Sequence, residues 1–354
     1  MHDCSRHVTS RTNFLAAAGA AATMLLPGAR VLAQPARPRM IDIHHHHYPP
    51  ALIAQMNASQ AQRGLPPVPP TFWTPEKSLA DMDASGITTS ILSIASPHGV
   101  WFDADPKNYA SLARACNEYA ANLMREHPGR FGFFAAMPMP DVDASLKEIA
   151  YALDTLHADG IGLPTSFGNR WPGDAAFAPF FAECNRRKAM VVFHPYAPNC
   201  CSPVQPGVSE SLLEYPYDTS RTFMSLLTGG TLAKYPDVRY TLCHGGGALP
   251  YLAGRLETLG LHDPTLTKLG ITPADVDAAI KGMYYDTANA TFPATMAALL
   301  KEIPLTQIMF GTDYPYVNGK QNLGPLESQG LSPSVLTAIK SGNVTRMIPR
   351  LATL

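Results

Sequence analysis

The sequence predicts an α/β protein, a (β/α)8 TIM barrel whose long βα loops form a lid over one mouth. Three observations point there. Eight short strand-like runs alternate with helix-like ones along the 354 residues. Four of these runs lead into a metal-binding or proton-transferring side chain: Ile41-Asp42-Ile43-His44-His45-His46-His47, Phe193-His194-Pro195, Cys243-His244-Gly245-Gly246-Gly247 and Phe310-Gly311-Thr312-Asp313. A barrel enzyme gathers its chemistry in this way, at the carboxyl ends of its strands. The competing arrangement, an open doubly wound sheet, lacks its usual sign, because no glycine-rich phosphate loop follows the first strand.

The strands are expected over 40–44, 88–94, 131–137, 160–165, 190–194, 239–243, 283–287 and 308–312. Thr74-Pro75 and Asp105-Pro106 each offer a capping side chain followed by a proline that suits the first helical position. Asp143 opens the apolar face Leu146, Ile149, Ala150 and Leu153, and Asp218 or Thr219 opens the helix leading to Leu226 and Leu227. Gly86, Gly129 and Gly160 stop the helices before them. Three connections are too long to be mere links. Residues 48–73 carry Pro49, Pro50, Pro66, Pro67, Pro69, Pro70 and the pair Phe72-Trp73. Residues 95–104 carry His98 and Trp101, and residues 195–217 carry Cys200-Cys201. Loops of this kind on an active face act as lids and specificity walls.

The first 33 residues read as an export signal. Arg6 and Arg11 precede an apolar run from Phe14 to Leu26, Pro27-Gly28 breaks it, and Val31-Leu32-Ala33 fits the small-residue cleavage rule. Ser10-Arg11-Thr12-Asn13-Phe14-Leu15 is similar to a twin-arginine (Tat) signal, with Thr12 in place of the second arginine. The apolar run, roughly 13 residues, is shorter than the ~20 a spanning helix needs. A periplasmic protein with no membrane anchor in its mature form is therefore expected, with one domain over residues 34–354. Its charge balance, 27 Lys and Arg against 28 Asp and Glu in the full chain, becomes mildly acidic once the signal is removed. That balance speaks against nucleic acid or an anionic membrane as partner. Five cysteines remain, an odd number that leaves one unpaired or paired between chains in an oxidising compartment. Cys116 and Cys184 fall in apolar helical patterns and read as core.

The four-histidine run offers two HxH pairs, His44/His46 and His45/His47. A purification tag would be longer and terminal. Strand alternation puts Asp42, His44 and His46 on one face and Ile41, Ile43, His45 and His47 on the other. Barrel strands turn aliphatic residues outward onto the helices, so Asp42, His44 and His46 are expected to point inward. With His194 and Asp313 they make three imidazoles and a carboxylate, a donor set that favours Zn2+ and also suits Mn2+ or Fe2+. His244, followed by three glycines, is placed as a general base beside such an ion, or as a fifth ligand.

These residues resemble a known family. Asp42-Ile43-His44-His45-His46, His194-Pro195, His244-Gly245-Gly246-Gly247 and Gly311-Thr312-Asp313-Tyr314-Pro315 are similar to the amidohydrolase superfamily. Within it they resemble the metal-dependent non-oxidative decarboxylases, which include α-amino-β-carboxymuconate-ε-semialdehyde decarboxylase and 6-methylsalicylate decarboxylase. The likeness runs from about Met40 to Pro349, and the stretch from Trp73 to Asp83 with Ile87 to Ser93 looks most like the methylsalicylate group. The resemblance implies His44, His46, His194 and Asp313 as ligands of one divalent metal ion, and His244 as catalytic acid or base. No counterpart of the bridging carbamylated lysine of two-metal members is evident. Resorcylate-type relatives carry a glutamate where this chain has His44 and so stand further away. Arg255 matches an arginine that, in the semialdehyde enzyme, reaches a neighbouring subunit's site, which implies a homodimer. The loop after His194 lacks the Trp that follows His-Pro in that enzyme.

The expected function is release of CO2 from a small carboxylic acid, hydroxybenzoate-like (6-methylsalicylate-type) or unsaturated, without a redox cofactor. Asp313 would serve as both ligand and acid/base. Arg170, after the fourth strand, and Arg255 are candidate carboxylate clamps. Trp73, Trp101 and Phe72 are candidate walls of an aromatic pocket. A metal-dependent hydrolase of an amide, ester or lactone would use the same site, and a non-catalytic periplasmic metal- or ligand-binding barrel would retain it.

Overall fold

The computed structural model describes residues 39–353, except 63, 65, 70, 95–99, 101–105, 199 and 201–207. The expected export signal and Trp101 lie outside the described residues. Eight parallel strands follow one another in chain order: β1 (Ile41–His46), β2 (Thr89–Ser93), β3 (Phe131–Ala136), β4 (Gly160–Pro164), β5 (Met190–His194), β6 (Arg239–Leu242), β7 (Tyr284–Asp286) and β8 (Ile308–Met309). Each falls on an expected run. The ring closes through backbone bonds from Ile43 N–H to Phe310 O (3.0 Å), Asp313 N–H to His44 O (2.8 Å) and His46 N–H to Tyr314 O (2.7 Å). Among the described residues no helix is long and apolar enough to cross a membrane.

Period-two alternation sorts the strand residues into two layers. Leu92, Phe133, Ile161, Phe193, Leu242, Tyr285 and Phe310 face the helices. Ile41, Ile43, Ile91, Phe134, Met190, Val192 and Met309 fill the barrel, together with Val344, Met347, Ile348 and Leu351 from the C-terminal segment. That segment lies against the strand starts, where Arg239 donates to Met347 O and Arg350 pairs with Asp159.

The first strand departs from the alternation expected of it. Ile41 and Ile43 point into the barrel, and Asp42 points out of it. Pairing with β2 slips between Asp42 and His45, where one extra residue enters β1. Such an irregularity resets which side chains face inward. His44 and His46 therefore face the mouth while His45 and His47 are buried elsewhere. Asp42, expected beside the histidines, is the anchor of the closing seam. Its Oδ1 accepts from His44 N–H and Thr312 N–H (both 3.0 Å), and its Oδ2 from His45 Nδ1 (2.9 Å) and Thr312 Oγ1 (2.6 Å). His45 Nε2 in turn meets Ser78 Oγ at 2.6 Å.

Thr74 caps helix Pro75–Ser85 by accepting from Lys77 N–H, and Gly86 ends it with left-handed backbone. Helix Pro106–Glu126 opens at the expected proline. Three expected boundaries move. Asp141, not Asp143, caps Val142–Ala150, because its carboxylate reaches Ala144 N–H. Helix Glu214–Thr228 begins before Asp218, which is buried inside it and accepts from Thr165 Oγ1 and Trp171 Nε1. Gly160 opens β4 rather than ending a helix, since a Cβ there would lie 2.7 Å from Met190 O. The proline-rich stretch after β1 also holds a helix, Pro50–Gln62; Pro50 stands at its first position, where a missing N–H costs nothing.

Replacing Asp42 with Ala strands two buried backbone donors and an imidazole nitrogen at once, and leaves the Thr312 hydroxyl only its longer bond to His44 O (3.3 Å). Each unsatisfied buried group costs about 1–3 kcal/mol. Denaturant unfolding of Asp42→Ala should show a loss of at least about 3 kcal/mol, and a midpoint equal to wild type would remove the seam from this account.

Candidate metal centre and active site

Three strand ends, those of β1, β5 and β8, bring His44, His46, His194 and Asp313 to one point, with one donor atom of each within 4.8 Å of all the others. The outer nitrogen of every imidazole already has a partner. His44 Nδ1 donates to Asp286 Oδ2 (2.7 Å), and His194 Nδ1 to Pro195 O (3.0 Å). His46 Nδ1 meets Ser93 Oγ at 3.2 Å. These bonds turn three Nε2 atoms inward. His44 Nε2 and His46 Nε2 stand 3.1 Å apart, and Asp313 Oδ1 lies 2.9 Å from His46 Nε2 and 3.3 Å from His44 Nε2. His194 Nε2 is buried with no hydrogen-bond partner. Two nitrogen lone pairs at that distance repel unless a proton or a cation lies between them. The donor set fits a divalent metal, whose ligating histidines commonly carry such outer partners.

His244 follows β6, with its ring centroid 4.7 Å from that of His44. Its backbone is left-handed (φ 55°), as is that of Asp313 (φ 69°), a conformation non-glycine residues adopt rarely and often at functional turns. Asp286 Oδ1 accepts from His244 N–H (2.9 Å), so a single carboxylate positions two histidines. His244 Nδ1 donates to Ala288 O (3.1 Å), which leaves Nε2 as the free base. Asn289 Nδ2 donates to Asp313 Oδ2 at 2.6 Å. Above the donors lies an open cleft whose lining includes His194, His244, Asp313, Tyr215, Asn289, Phe292 and Tyr316. Its described lining contains no lysine or arginine.

The amidohydrolase family model matches residues 41–350, nearly all of the described chain. The chain belongs to the amidohydrolase family. It is 40% identical over 288 residues to decarboxylase yanB of Aspergillus niger, covering 78% of this chain and 77% of that one. It is 36% identical over 317 residues to the 6-methylsalicylic acid decarboxylase of Penicillium expansum, covering 88% and 96%. A solved amidohydrolase II structure superposes with a TM-score of 0.78 at 26% identity, over 88% of this chain and 99% of that one.

Not every expected residue reaches this amidohydrolase cleft. Trp73 is buried in the helix layer, edge-on to His47 and Tyr119. Arg170 is bound to Asp174 at 2.9 Å and lies over the Phe177 ring, away from the donors. Arg255 is exposed on helix Leu249–Gly260. Phe72 is exposed and packs against Tyr48 and Tyr316, whose hydroxyls bond each other, without lining the cleft. Asp286 and Asn289 were not anticipated. The strand-end rule that selects His194 and Asp313 applies equally to Asp286, the last residue of β7.

Burial sets the charge state of most of the cluster. It lowers His46 to about 4 and His194 well below the imidazole range, and it lowers His244 as well. His47, buried outside the site, is also lowered to about 4. Burial works against a charge on His44 too, but the neighbouring Cys243 and the carboxylates of Asp286 and Asp313 together outweigh it and the pKa is raised. Burial opposes ionisation of Asp313, yet hydrogen bonds from His44 and His46 hold it well below the carboxylate range.

Four lowered histidines bind fewer protons in the native state than in the unfolded one, where imidazoles titrate near about 6.5. Their contribution to stability is therefore present above that pH and lost as pH falls from there toward 4. Only His44 acts in the opposite sense. Thermal melts of metal-free protein between pH 7.5 and 5 should show a falling Tm. A flat profile would mean that these rings carry protons in the native state.

Proposed function

We propose that this amidohydrolase is a metal-dependent, non-oxidative decarboxylase of a hydroxybenzoate-type acid, with 6-methylsalicylate as the leading substrate. The observation that carries the reading is three inward Nε2 atoms and one ionised carboxylate beside a free imidazole nitrogen, at the floor of a cleft with aromatic walls. Its likeness to the Penicillium expansum enzyme over 317 residues supports the substrate class.

His44, His46, His194 and Asp313 would hold one divalent ion, zinc by the chemistry of the donors, with manganese or iron as substitutes. When bound, that ion supplies positive charge against the substrate's phenolate and carboxylate oxygens. The protein's own groups then handle the proton. His244, kept neutral by burial and fixed by Ala288 O, presents Nε2 to the substrate hydroxyl as base. Asp313, oriented by Asn289, is a weak holder of protons; it would pass a proton taken from solvent in the cleft to the ring carbon that bears the carboxylate, and His244 would return the hydroxyl proton once CO2 has left. The carbon–carbon bond breaks, its electron pair restores the ring, and CO2 leaves. Tyr215 and Phe292 wall the cleft beside the donors.

The carboxylate needs a cationic or hydrogen-bonding partner that the described cleft does not draw from lysine or arginine. A homodimer would let Arg255 supply one to a partner's cleft. Export to the periplasm by the N-terminal segment belongs to the same proposal.

Metal-loaded protein should release CO2 from 6-methylsalicylate, and the rate should fall at least about 100-fold in His244→Ala and vanish in His194→Ala. Hydrolysis of esters, lactones or amides with no CO2 from any acid would replace this reading with the hydrolase. Asp286→Asn should weaken metal affinity about 10- to 100-fold by freeing the His44 ring. Unchanged affinity in a metal titration would remove Asp286 from the site.

A further inference from the structure

A second cavity meets the donors at His44 and His194 and shares the His194 ring with the cleft. It is lined by Ser93, Ala136 and Pro164 at the ends of β2, β3 and β4, by Gly162 in the middle of β4, and by Val192 and His194 of β5. Most of the rest of its described lining is apolar, and His44 lines it too. The unpartnered Nε2 of His194 belongs to a ring shared by both cavities.

Gly162 is the informative residue. Glycine inside a strand weakens it and often marks close approach of a ligand or another backbone. Two nearby strand glycines have steric reasons of the second kind or similar. A Cβ at Gly160 would meet Met190 O at 2.7 Å, and one at Gly132 would collide with Asp159 and Arg350. Gly162 has none: its backbone is not left-handed, and an added Cβ would meet Phe134 Cβ at 3.6 Å and the Phe134 and Ala135 carbonyl oxygens at 3.9 Å, all ordinary contacts. Neither packing nor conformation requires glycine there. What its missing side chain leaves open is space next to the donors.

We infer that this chamber is the specificity pocket for a small alkyl substituent on the substrate ring, and that Gly162 and Ala136 set its size. The inference rests on the decarboxylase reading. With the acid's oxygens directed at the donor cluster and His244, a substituent ortho to the carboxylate, on the side away from the hydroxyl, is directed toward β2–β5. There it meets aliphatic and aromatic walls. One methyl group in a hydrophobic pocket discriminates between substrates by roughly 10- to 200-fold.

The test compares salicylate with its 6-methyl and 6-ethyl derivatives on the zinc-loaded enzyme. Wild type should favour the methyl acid in kcat/KM by about tenfold or more. Gly162→Ala, which the strand accommodates, should abolish that preference while leaving salicylate turnover intact, and Ala136→Gly should shift the preference toward the ethyl acid. A methyl preference unchanged in both variants would overturn the inference. Should no acid be turned over, the decarboxylase reading fails on its own. Calorimetric Kd values of the same acids for zinc-loaded wild type and Gly162→Ala then decide the pocket: a lost methyl preference supports it, and an equal preference overturns it.

Discussion

Three imidazole nitrogens and a carboxylate oxygen converge at the floor of the cleft, and the nitrogens would repel one another if nothing positive lay among them. Much of the surrounding structure makes this convergence obligatory. Each ring's outer nitrogen is held by Asp286, Ser93 or Pro195 O, so none can turn its lone pair away. The cost of ordering those rings falls on the fold and is met before any ligand arrives, which is what preorganisation of a site requires. Asp286 couples this floor to the chemistry above it, because the carboxylate that orients His44 also fixes the backbone of His244.

The convergence depends in turn on the seam between β1 and the segment after β8. Ideal alternation would place His44 and His46 on the same side as Asp42. One extra residue in β1 lets the strand bury Ile41 and Ile43 in the barrel and still present both histidines at the mouth. Asp42 then lies on the outer side, where it accepts four hydrogen bonds and ties Thr312 to the first strand. Asp313 is the next residue, so the anchor that closes the barrel also places the metal-facing carboxylate.

Much of this was legible in the sequence. The eight strands and the residues at their ends follow from local apolar runs and from the rule that barrel chemistry gathers at carboxyl ends. His44 and His46 were found for an incomplete reason, because a bulge is a tertiary feature that period-two counting does not see. The helix at Pro50–Gln62 was hidden by prolines that read as loop formers when one of them was a helix start. Trp73 and Arg170 show the other limit. Their residue types suit a binding wall and a clamp, but whether a ring or a guanidinium faces the cleft depends on packing across the chain, and here His47 and Asp174 claim them.

The two cavities bear on why this arrangement suits loss of CO2. A hydrolase has to admit water to the reacting carbon, whereas decarboxylation has to exclude it from a ring that briefly carries extra electron density. The chamber on the β2–β5 side is lined by Ile94, Phe134, Met137 and Val192 as well as by the donor rings of His44 and His194. A ring anchored by its oxygens at the donors and by a substituent in that chamber would leave little room for water on that side. The same contact would fix the plane of the ring relative to His244 and Asp313, so one apolar pocket would serve both selection and orientation. Substrate binding energy gained at a distance from the carboxylate would then be expressed as alignment of the reacting carbon with its proton source.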